Sequence, residues 1–340
     1  MAGGGVMSDA PTASQAAKPF ALTDGARVHV IANPQSAGGA TSKRWDELLA
    51  TINRAVTPIT GLPVETSLTT GPWDAARLTT QALKAGADQI IAVGGDGTIH
   101  ECINGFFENA RLINPDAVLA ILPAGTGGDY RRTFGIPTDI EQAADICARG
   151  DARSVDLGRI SYVADDGSKE TRYFNNIASF GLSGVVDRAV NKATWPKMLG
   201  GKFTFAWCTL WAALRYTPEP VRIKMDERYD EVFNVGTAAV AIGQYFGGGM
   251  HMAPMAEPDD GVFDVVIMTD TTLKDLVAGD GDLYKGTHIQ SPKVIATRTS
   301  TLLALPIDEN AEVLIDIDGE APGRLPASFE ILPKAIRLRT

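Results

Sequence analysis

The sequence predicts an α/β unit followed by an all-β unit: a doubly wound parallel sheet in the first half and a mainly antiparallel β arrangement in the second. Three observations carry this. From Arg27 to Arg149, apolar runs of strand length alternate with stretches of helical period. Three of those runs lead into Gly-rich polar turns, at Asn33–Gly39, Gly94–Thr98 and Pro123–Tyr130. From about Ser154 the rhythm changes, and strand-like runs dominate.

The first strand, Arg27 to Ala32, enters Asn33-Pro34-Gln35-Ser36-Ala37-Gly38-Gly39. Trp45, Leu48, Leu49 and Ile52 then mark a helix over Ser42–Ala55, and a second helix is expected over Asp74–Ala85. The run Ile90-Ile91-Ala92-Val93 is the most informative. It ends in Gly94-Gly95-Asp96-Gly97-Thr98 and is followed by Ile99, Cys102, Ile103 and Phe106, one face of a helix over Thr98–Glu108. A strand that turns through glycines into a helix N-terminus binds phosphate. Peptide N–H groups point outward there, and glycine permits both the tight turn and close approach of the oxygens. Asp96 sits mid-turn, where a carboxylate meets a metal, a water or a reacting hydroxyl. Ala117 to Leu122 forms the next strand, before Pro123-Ala124-Gly125-Thr126-Gly127-Gly128-Asp129-Tyr130, and Asp139–Arg149 the next helix. In one parallel sheet all three turns open at the carboxyl edge, where α/β folds take ligands.

The second half reads as strands at Asp156–Val163, Thr171–Ser179, Val221–Met225, Glu231–Ile242, Val262–Met268, Val294–Leu305 and Glu312–Asp318, with a hairpin turn at Asp165–Gly167. The turn Glu257-Pro258-Asp259-Asp260-Gly261 precedes Val262. Alternation places Asp316 and Asp318 on one strand face, and Gly319-Glu320 turns away with another carboxylate. Asp316 by itself reads as part of a solvated edge. Between Asn191 and Pro218, Trp195, Phe203, Phe205, Trp207 and Trp211 mix with Lys192, Lys197, Lys202 and Arg215. That mixture suits either a lipid headgroup interface or a helix packed on the sheet.

Length and charge set limits. A chain of 340 residues is expected to form two domains. A net charge of −10 argues against a nucleic-acid partner and against bulk attraction to anionic membranes. Cys102, Cys147 and Cys208 show no metal spacing and read as buried thiols of a reducing compartment. His100 reads as a nucleotide neighbour or a helix-surface residue. Residues 1–25 read as a disordered leader without signal-peptide features, and Phe203 to Leu214 is too short to span a membrane. A cytoplasmic protein, at most transiently membrane-associated, is expected.

The order Asn-Pro-x-Ser-x-Gly, Gly-Gly-Asp-Gly-Thr, Pro-x-Gly-Thr-Gly-x-Asp, Asp-Asp-Gly and Asp-Gly-Glu resembles the diacylglycerol kinase catalytic-domain superfamily, from about Arg27 to Arg339. The closest likeness is to its bacterial soluble lipid kinases. The resemblance implies a Rossmann-like nucleotide-binding domain over 26–153, completed by a C-terminal strand from 326–340. It implies a β-sandwich lipid-substrate domain over 154–325 and an active site in the interdomain cleft. The implied activity is ATP- and Mg²⁺-dependent transfer of the γ-phosphate to a lipid hydroxyl, diacylglycerol-like or sphingoid, at the membrane surface.

By the same resemblance, Asn33, Thr69, Gly94, Gly95, Asp96, Gly97, Thr98, Thr126 and Asp129 contact nucleotide. Glu320 is the base with Asp318 beside it, and Asp96 is its rival for that role. A second Mg²⁺ is implied at Asp260 with carbonyls of Glu257 and Val262, an oxygen-only set; a simple turn before a strand is the competing reading. Gly128 departs from the pattern, since many relatives carry Asn there. An NAD kinase-like or other small-molecule kinase, and a catalytically inactive nucleotide-binding regulator, are the alternatives.

Overall fold

The computed structural model describes residues 21–125, 127–192, 216–227, 229–269 and 281–340. Its first half runs β1 (Val28–Ala32), α1 (Ser36–Lys43), α2 (Trp45–Thr60), β2 (Glu65–Leu68), α3 (Asp74–Lys84), β3 (Gln89–Gly94) and α4 (Asp96–Asn104). The hairpin β4 (Phe107–Glu108) and β5 (Arg111–Leu112) follows, then β6 (Val118–Pro123), α5 (Asp129–Thr133) and α6 (Ile140–Arg149). The second half comprises β7 (Ala152–Ala164), β8 (Lys169–Phe174), β9 (Ile177–Gly181), α7 (Leu182–Lys192), β10 (Glu219–Met225) and β11 (Tyr229–Ala241). It ends with β12 (Phe263–Thr269), β13 (Val294–Thr299), β14 (Thr301–Pro306), β15 (Leu314–Ile317) and β16 (Glu320–Arg339).

Strands β2, β1, β3, β6 and the end of β16 form a parallel sheet in that order. Every residue of β3 is buried, as expected for a continuous apolar run covered on both faces. Alternation divides its neighbours between two cores. Ile31, Ile90, Ala92, Leu119 and Ile121 meet Ala82, Leu83, Ile99 and Ile103 from α3 and α4. Val30, Ala32, Ile91, Val93 and Leu122 meet Leu48, Ile52, Val56, Ala143 and Cys147 from α2 and α6. Each large aliphatic side chain so buried contributes about 1.5–3 kcal/mol.

In the second half the strand pairs are antiparallel, except where β16 meets β6. Among the described residues they close on a large core that includes Phe174, Phe180, Phe263 and Phe329, with a smaller cluster around Ile177, Ala239, Ala241 and Val266. β16 joins the halves. Its first part pairs with β15, β14 and β7, and Arg337 and Leu338 then pair in parallel with β6.

Several expectations are corrected. The strand expected over Thr171–Ser179 breaks into β8 and β9, because the Asp318 carboxylate takes the N–H groups of Asn175, Asn176 and Ile177. The strand expected over Val294–Leu305 breaks at Ser300, whose N–H bonds to the Asp226 side chain. The helix after Gly95 ends at Asn104, four residues early. A Cβ at Gly105 would lie 2.4 Å from the Ala76 carbonyl oxygen, so helix α3 crosses there in contact with the backbone. Helix α7 was not anticipated, although Leu182, Val185, Val186 and Val190 carry helical spacing. Asp316 is no solvated edge but 2% exposed, and Asp318 leaves the strand face at φ 52°. Residues 21–25 of the expected leader are part of the fold, with Leu22 buried and Gly25 bonded to the Thr60 carbonyl. Residues 1–20, Thr126, Cys208 and the aromatic and basic side chains between Lys192 and Arg215 lie outside the described residues.

Candidate active site

Sheet register aligns the predicted nucleotide residues. Ala32 pairs with Leu68 and Val93, and Gly94 with Pro123, so the turns after β1, β2, β3 and β6 emerge along one edge. Asn33 fixes the first turn: its side-chain oxygen accepts the Gln35 N–H at 2.9 Å, and its own N–H reaches the Val93 carbonyl at 3.0 Å. Thr69 is buried, with its N–H on the Ala32 carbonyl at 2.9 Å.

The two central turns touch backbone to backbone. A Cβ on Gly125 would lie 2.5 Å from Gly95 Cα and 2.9 Å from Gly95 N. Gly94 lies against the buried Thr98 side chain, 2.3 Å from its Oγ1 to a built Cβ, while Gly97 faces open space. Gly125→Ala is therefore expected to force the turns apart and to lose about 1–3 kcal/mol of stability by overpacking. Urea unfolding would measure this, and an unchanged midpoint would refute it.

Asp96 joins these turns. Its carboxylate accepts N–H bonds from Gly128 at 2.8 Å, Asp129 at 3.1 Å and Tyr130 at 3.2 Å. It thereby satisfies the free donors that open the short helix α5. Gly128 adopts φ 85°, and a side chain there would meet Arg131 Nε at 2.7 Å. Asp129 is buried and tied to the second half: it accepts the Gly248 N–H at 2.7 Å and pairs with Arg132. Burial pushes its carboxyl above the usual range. Arg131 bonds the Ile136 carbonyl at 3.0 Å.

The Asp-Gly-Glu segment is a hairpin between β15 and β16. Ile317 pairs with Glu320, and the two intervening residues, Asp318 at φ 52° and Gly319 at φ 92°, have the positive φ that a type I′ turn requires. The Asp318 side chain, 2% exposed, accepts four bonds. His100 Nδ1 at 2.9 Å and Asn175 N at 3.0 Å meet one oxygen, and Asn176 N and Ile177 N, each at 3.1 Å, meet the other. His100 is fully buried, which corrects the helix-surface expectation. It lies four residues after Asp96, one turn along α4, so a single helix contacts both predicted carboxylate regions.

Glu320 differs from Asp318 in being 35% exposed. It borders a cavity of about 310 Å³ with Trp73, Arg172, Ala321 and Pro322. Arg172 lies 3.3 Å from both Glu320 and Glu170 and sits over the Trp73 ring at 4.6 Å. Trp73 follows the Thr69 turn directly, so a cation–π contact links that turn to Glu320. Glu101 on α4 accepts the Ala75 N–H at 3.0 Å, and burial, with a smaller push from Glu320, raises its carboxyl. Trp73, His100, Glu101 and Arg172 were not singled out as site residues from sequence, apart from the ambiguity at His100. A larger depression of about 660 Å³, lined by Arg159, Thr171, Lys224, Thr301 and Glu330 among others, shares no residue with this site.

The implied metal residues form a tight turn. Asp260 accepts the Val262 N–H at 3.2 Å and lies 3.3 Å from Arg298. Among the described residues no group of three or more His, Cys, Asp and Glu side chains could hold an ion, so an ion here would have to rest on Asp260 with carbonyl oxygens. Such a donor set suits Mg²⁺. The buried Asp264 Oδ2 beside it lacks a hydrogen-bond partner, and burial raises that carboxyl, with Asp260 and Glu257 adding to the effect. The buried carboxylate of Asp156 ties this turn to β16, accepting the Gly261 and Lys334 N–H groups at 2.7 Å each.

A parallel-sheet edge of Gly-rich turns, closed by a β-rich half that delivers carboxylates, defines a phosphate-handling protein of two-part architecture. Comparison with known proteins agrees. The diacylglycerol kinase catalytic domain matches residues 27–160, and the YegS C-terminal NAD kinase beta sandwich-like domain matches residues 176–340. The chain is similar to diacylglycerol kinases of Mycobacterium tuberculosis and Bacillus subtilis, each 28% identical over 92% of this chain and 94% and 95% of theirs. A crystal structure of a diacylglycerol kinase from Bacillus anthracis shares the fold with a TM-score of 0.63 and 21% identity, over 92% of this chain and 96% of that one. The chain belongs to the diacylglycerol kinase catalytic-domain superfamily. Membership supports phosphoryl transfer as its class of reaction and ATP as donor. No helix among the described residues is long and apolar enough to cross a membrane.

Proposed function

We propose that this protein is an ATP-dependent lipid kinase that transfers the γ-phosphate to a lipid hydroxyl, with Glu320 as general base. One observation carries the assignment of the base: Glu320 borders a cavity and contacts Arg172, whereas the Asp96 and Asp318 carboxylates are held by three and four hydrogen bonds. A base must reach the proton it removes. The nucleotide lies along the Asn33, Thr69 and Gly94–Thr98 turns, between a Rossmann-like half and the β-sandwich half. Peptide N–H groups at Gly95 and Gly97 are available to its phosphates. Asp96 holds the Gly128–Tyr130 segment against that site, and Asp129 belongs to the same wall; by the family pattern Thr126 is a further nucleotide contact. Arg172 sets the position of Glu320 and is itself oriented by Trp73.

Phosphoryl transfer needs positioning and charge stabilisation more than covalent help from the protein. Mg²⁺ bound with the nucleotide supplies neutralisation of charge on the phosphate oxygens. A second, structural Mg²⁺ fits Asp260 with the carbonyls of Glu257 and Val262, where it would offset the carboxylates of Asp156, Asp259 and Asp264. Mg²⁺ is then expected to raise the melting temperature of the nucleotide-free wild type, and Asp260→Ala to remove that rise. An equal rise in both proteins would place the ion elsewhere.

The function is tested by transfer of labelled γ-phosphate from ATP with Mg²⁺ into a total lipid extract in detergent micelles. A labelled lipid supports the reading and names the acceptor. ATP binding without any labelled lipid would overturn it and favour a soluble acceptor or a regulatory role.

A further inference from the structure

Beneath the hairpin that presents Glu320 lies a second pair of carboxyls that the proposed chemistry does not use. Asp316 on β15 is 2% exposed. Its Oδ1 accepts the Gly319 N–H at 2.8 Å, and its Oδ2 accepts the Ser179 hydroxyl at 3.1 Å. Asp187 on α7 is its electrostatic neighbour. Two carboxylate groups can hydrogen-bond to each other only when one carries a proton, because ionised carboxylates are acceptors alone. Gly184, three residues before Asp187 on α7, packs onto the β15 backbone, a built Cβ lying 2.5 Å from the Leu314 carbonyl oxygen, so this turn of the helix is seated against the strand that carries Asp316.

The Asp316 bond to Gly319 N spans the type I′ turn. It ties the strand before the turn to the peptide just ahead of Glu320. We propose that Asp187 and Asp316 share one proton, and that this protonated pair is a positioning device holding the Asp318–Glu320 hairpin in the geometry that presents Glu320. The proposal rests on the reading of Glu320 as base for its catalytic consequence, while the shared proton and the held turn stand apart from it.

The surroundings favour retention of that proton. Among the described residues, the charged groups acting on Asp316 are Asp187 from α7 and Asp318 from its own hairpin, and β9 supplies the Ser179 hydroxyl. Arg188, next to Asp187, turns instead to Asp165 and Glu312. Burial, then repulsion from Asp187, holds the Asp316 carboxyl well above its usual 3.8, and burial raises Asp187 to about 6. The sign of the linkage follows. By neutral pH the unfolded chain has released protons that the folded chain keeps, so stability falls as pH rises from about 4 through the native titration.

Asp316→Asn is the informative substitution. The amide oxygen can still accept the Gly319 N–H, and its N–H₂ takes the place of the shared proton at every pH. Melting temperature and hydrogen exchange of the 314–322 segment, measured from pH 5 to 9.5 on wild type and variant, need no substrate. Wild type is expected to lose stability and turn protection as pH rises, and Asp316→Asn to lose neither. In the total-lipid assay, wild-type transfer is expected to fall by about tenfold per pH unit beyond the native titration, with that alkaline limb missing in Asp316→Asn. Asp316→Leu, which removes the acceptor of Gly319 N–H, is expected to lose turn protection at all pH values. The same alkaline loss of protection in wild type and Asp316→Asn would overturn the proposal. If protection behaves as expected but Glu320→Gln retains full transfer, the pair stands and the base assignment falls.

Discussion

Glu320→Gln lowers the rate of lipid phosphorylation by about 10²–10⁴-fold, the usual contribution of a positioned general base, while ATP binding stays near wild type. The expectation follows from where Glu320 sits. It is the first residue of β16, its neighbour Asp318 is anchored by four hydrogen bonds, and Arg172 contacts its carboxylate. Gln keeps the length and the ability to accept from Arg172 but cannot take a proton. The scaffold is expected to survive, because the Asp-Gly turn and the Asp318 anchors are untouched. Transfer would be read from labelled ATP into lipid, and nucleotide affinity by calorimetry. Wild-type transfer in Glu320→Gln would return the base role to Asp96 or Asp318. Loss of both transfer and ATP binding would mean that the substitution had collapsed the site.

The parallel sheet was the legible part of this chain, for a local reason. Ile90-Ile91-Ala92-Val93 is apolar at every position because both faces of β3 are covered, and the following glycines mark where backbone meets backbone. Both signals lie within a few residues of each other. The breaks in the second half were not legible, because each is imposed from far away in sequence. Asn175 and Asn176 leave the ladder to bond Asp318, more than 140 residues on. Ser300 leaves it for Asp226.

The site divides in the same way. Gly94 to Thr98 and Asp318 to Glu320 could be found as short motifs, since turn geometry demands those residue types. Residue character did not separate the three carboxylates, because what distinguishes them is their donors. Asp96 is taken up by peptide N–H groups of α5, Asp318 by His100 and the 175–177 segment, and Glu320 by one arginine at an open cavity. Asp316 shows the same blindness in another form. Strand alternation put it beside Asp318, but burial against Asp187 could be seen only once α7 was placed on β15.

The second large effect falls on stability. Asp318→Ala removes the acceptor for His100 and for three peptide N–H groups at once, all in a site where the side chain is 2% exposed. Stripping one partner from a buried hydrogen-bonded carboxylate costs about 3–5 kcal/mol, because the donors left behind have been desolvated without replacement. The loss is also concentrated where the halves meet, since His100 belongs to α4 and residues 175–177 to the bend between β8 and β9. Asp318→Asn should be milder. Its oxygen can still accept the Asn176 and Ile177 N–H groups, and its N–H₂ can donate to His100 Nδ1 if the ring changes tautomer, leaving mainly the Asn175 N–H without an acceptor. Urea unfolding should therefore rank wild type above Asp318→Asn and Asp318→Ala last. Equal stability for Ala and Asn would show that the peptide N–H groups find water when the carboxylate is gone. The anchor would then matter to the placement of Glu320 rather than to the union of the two halves.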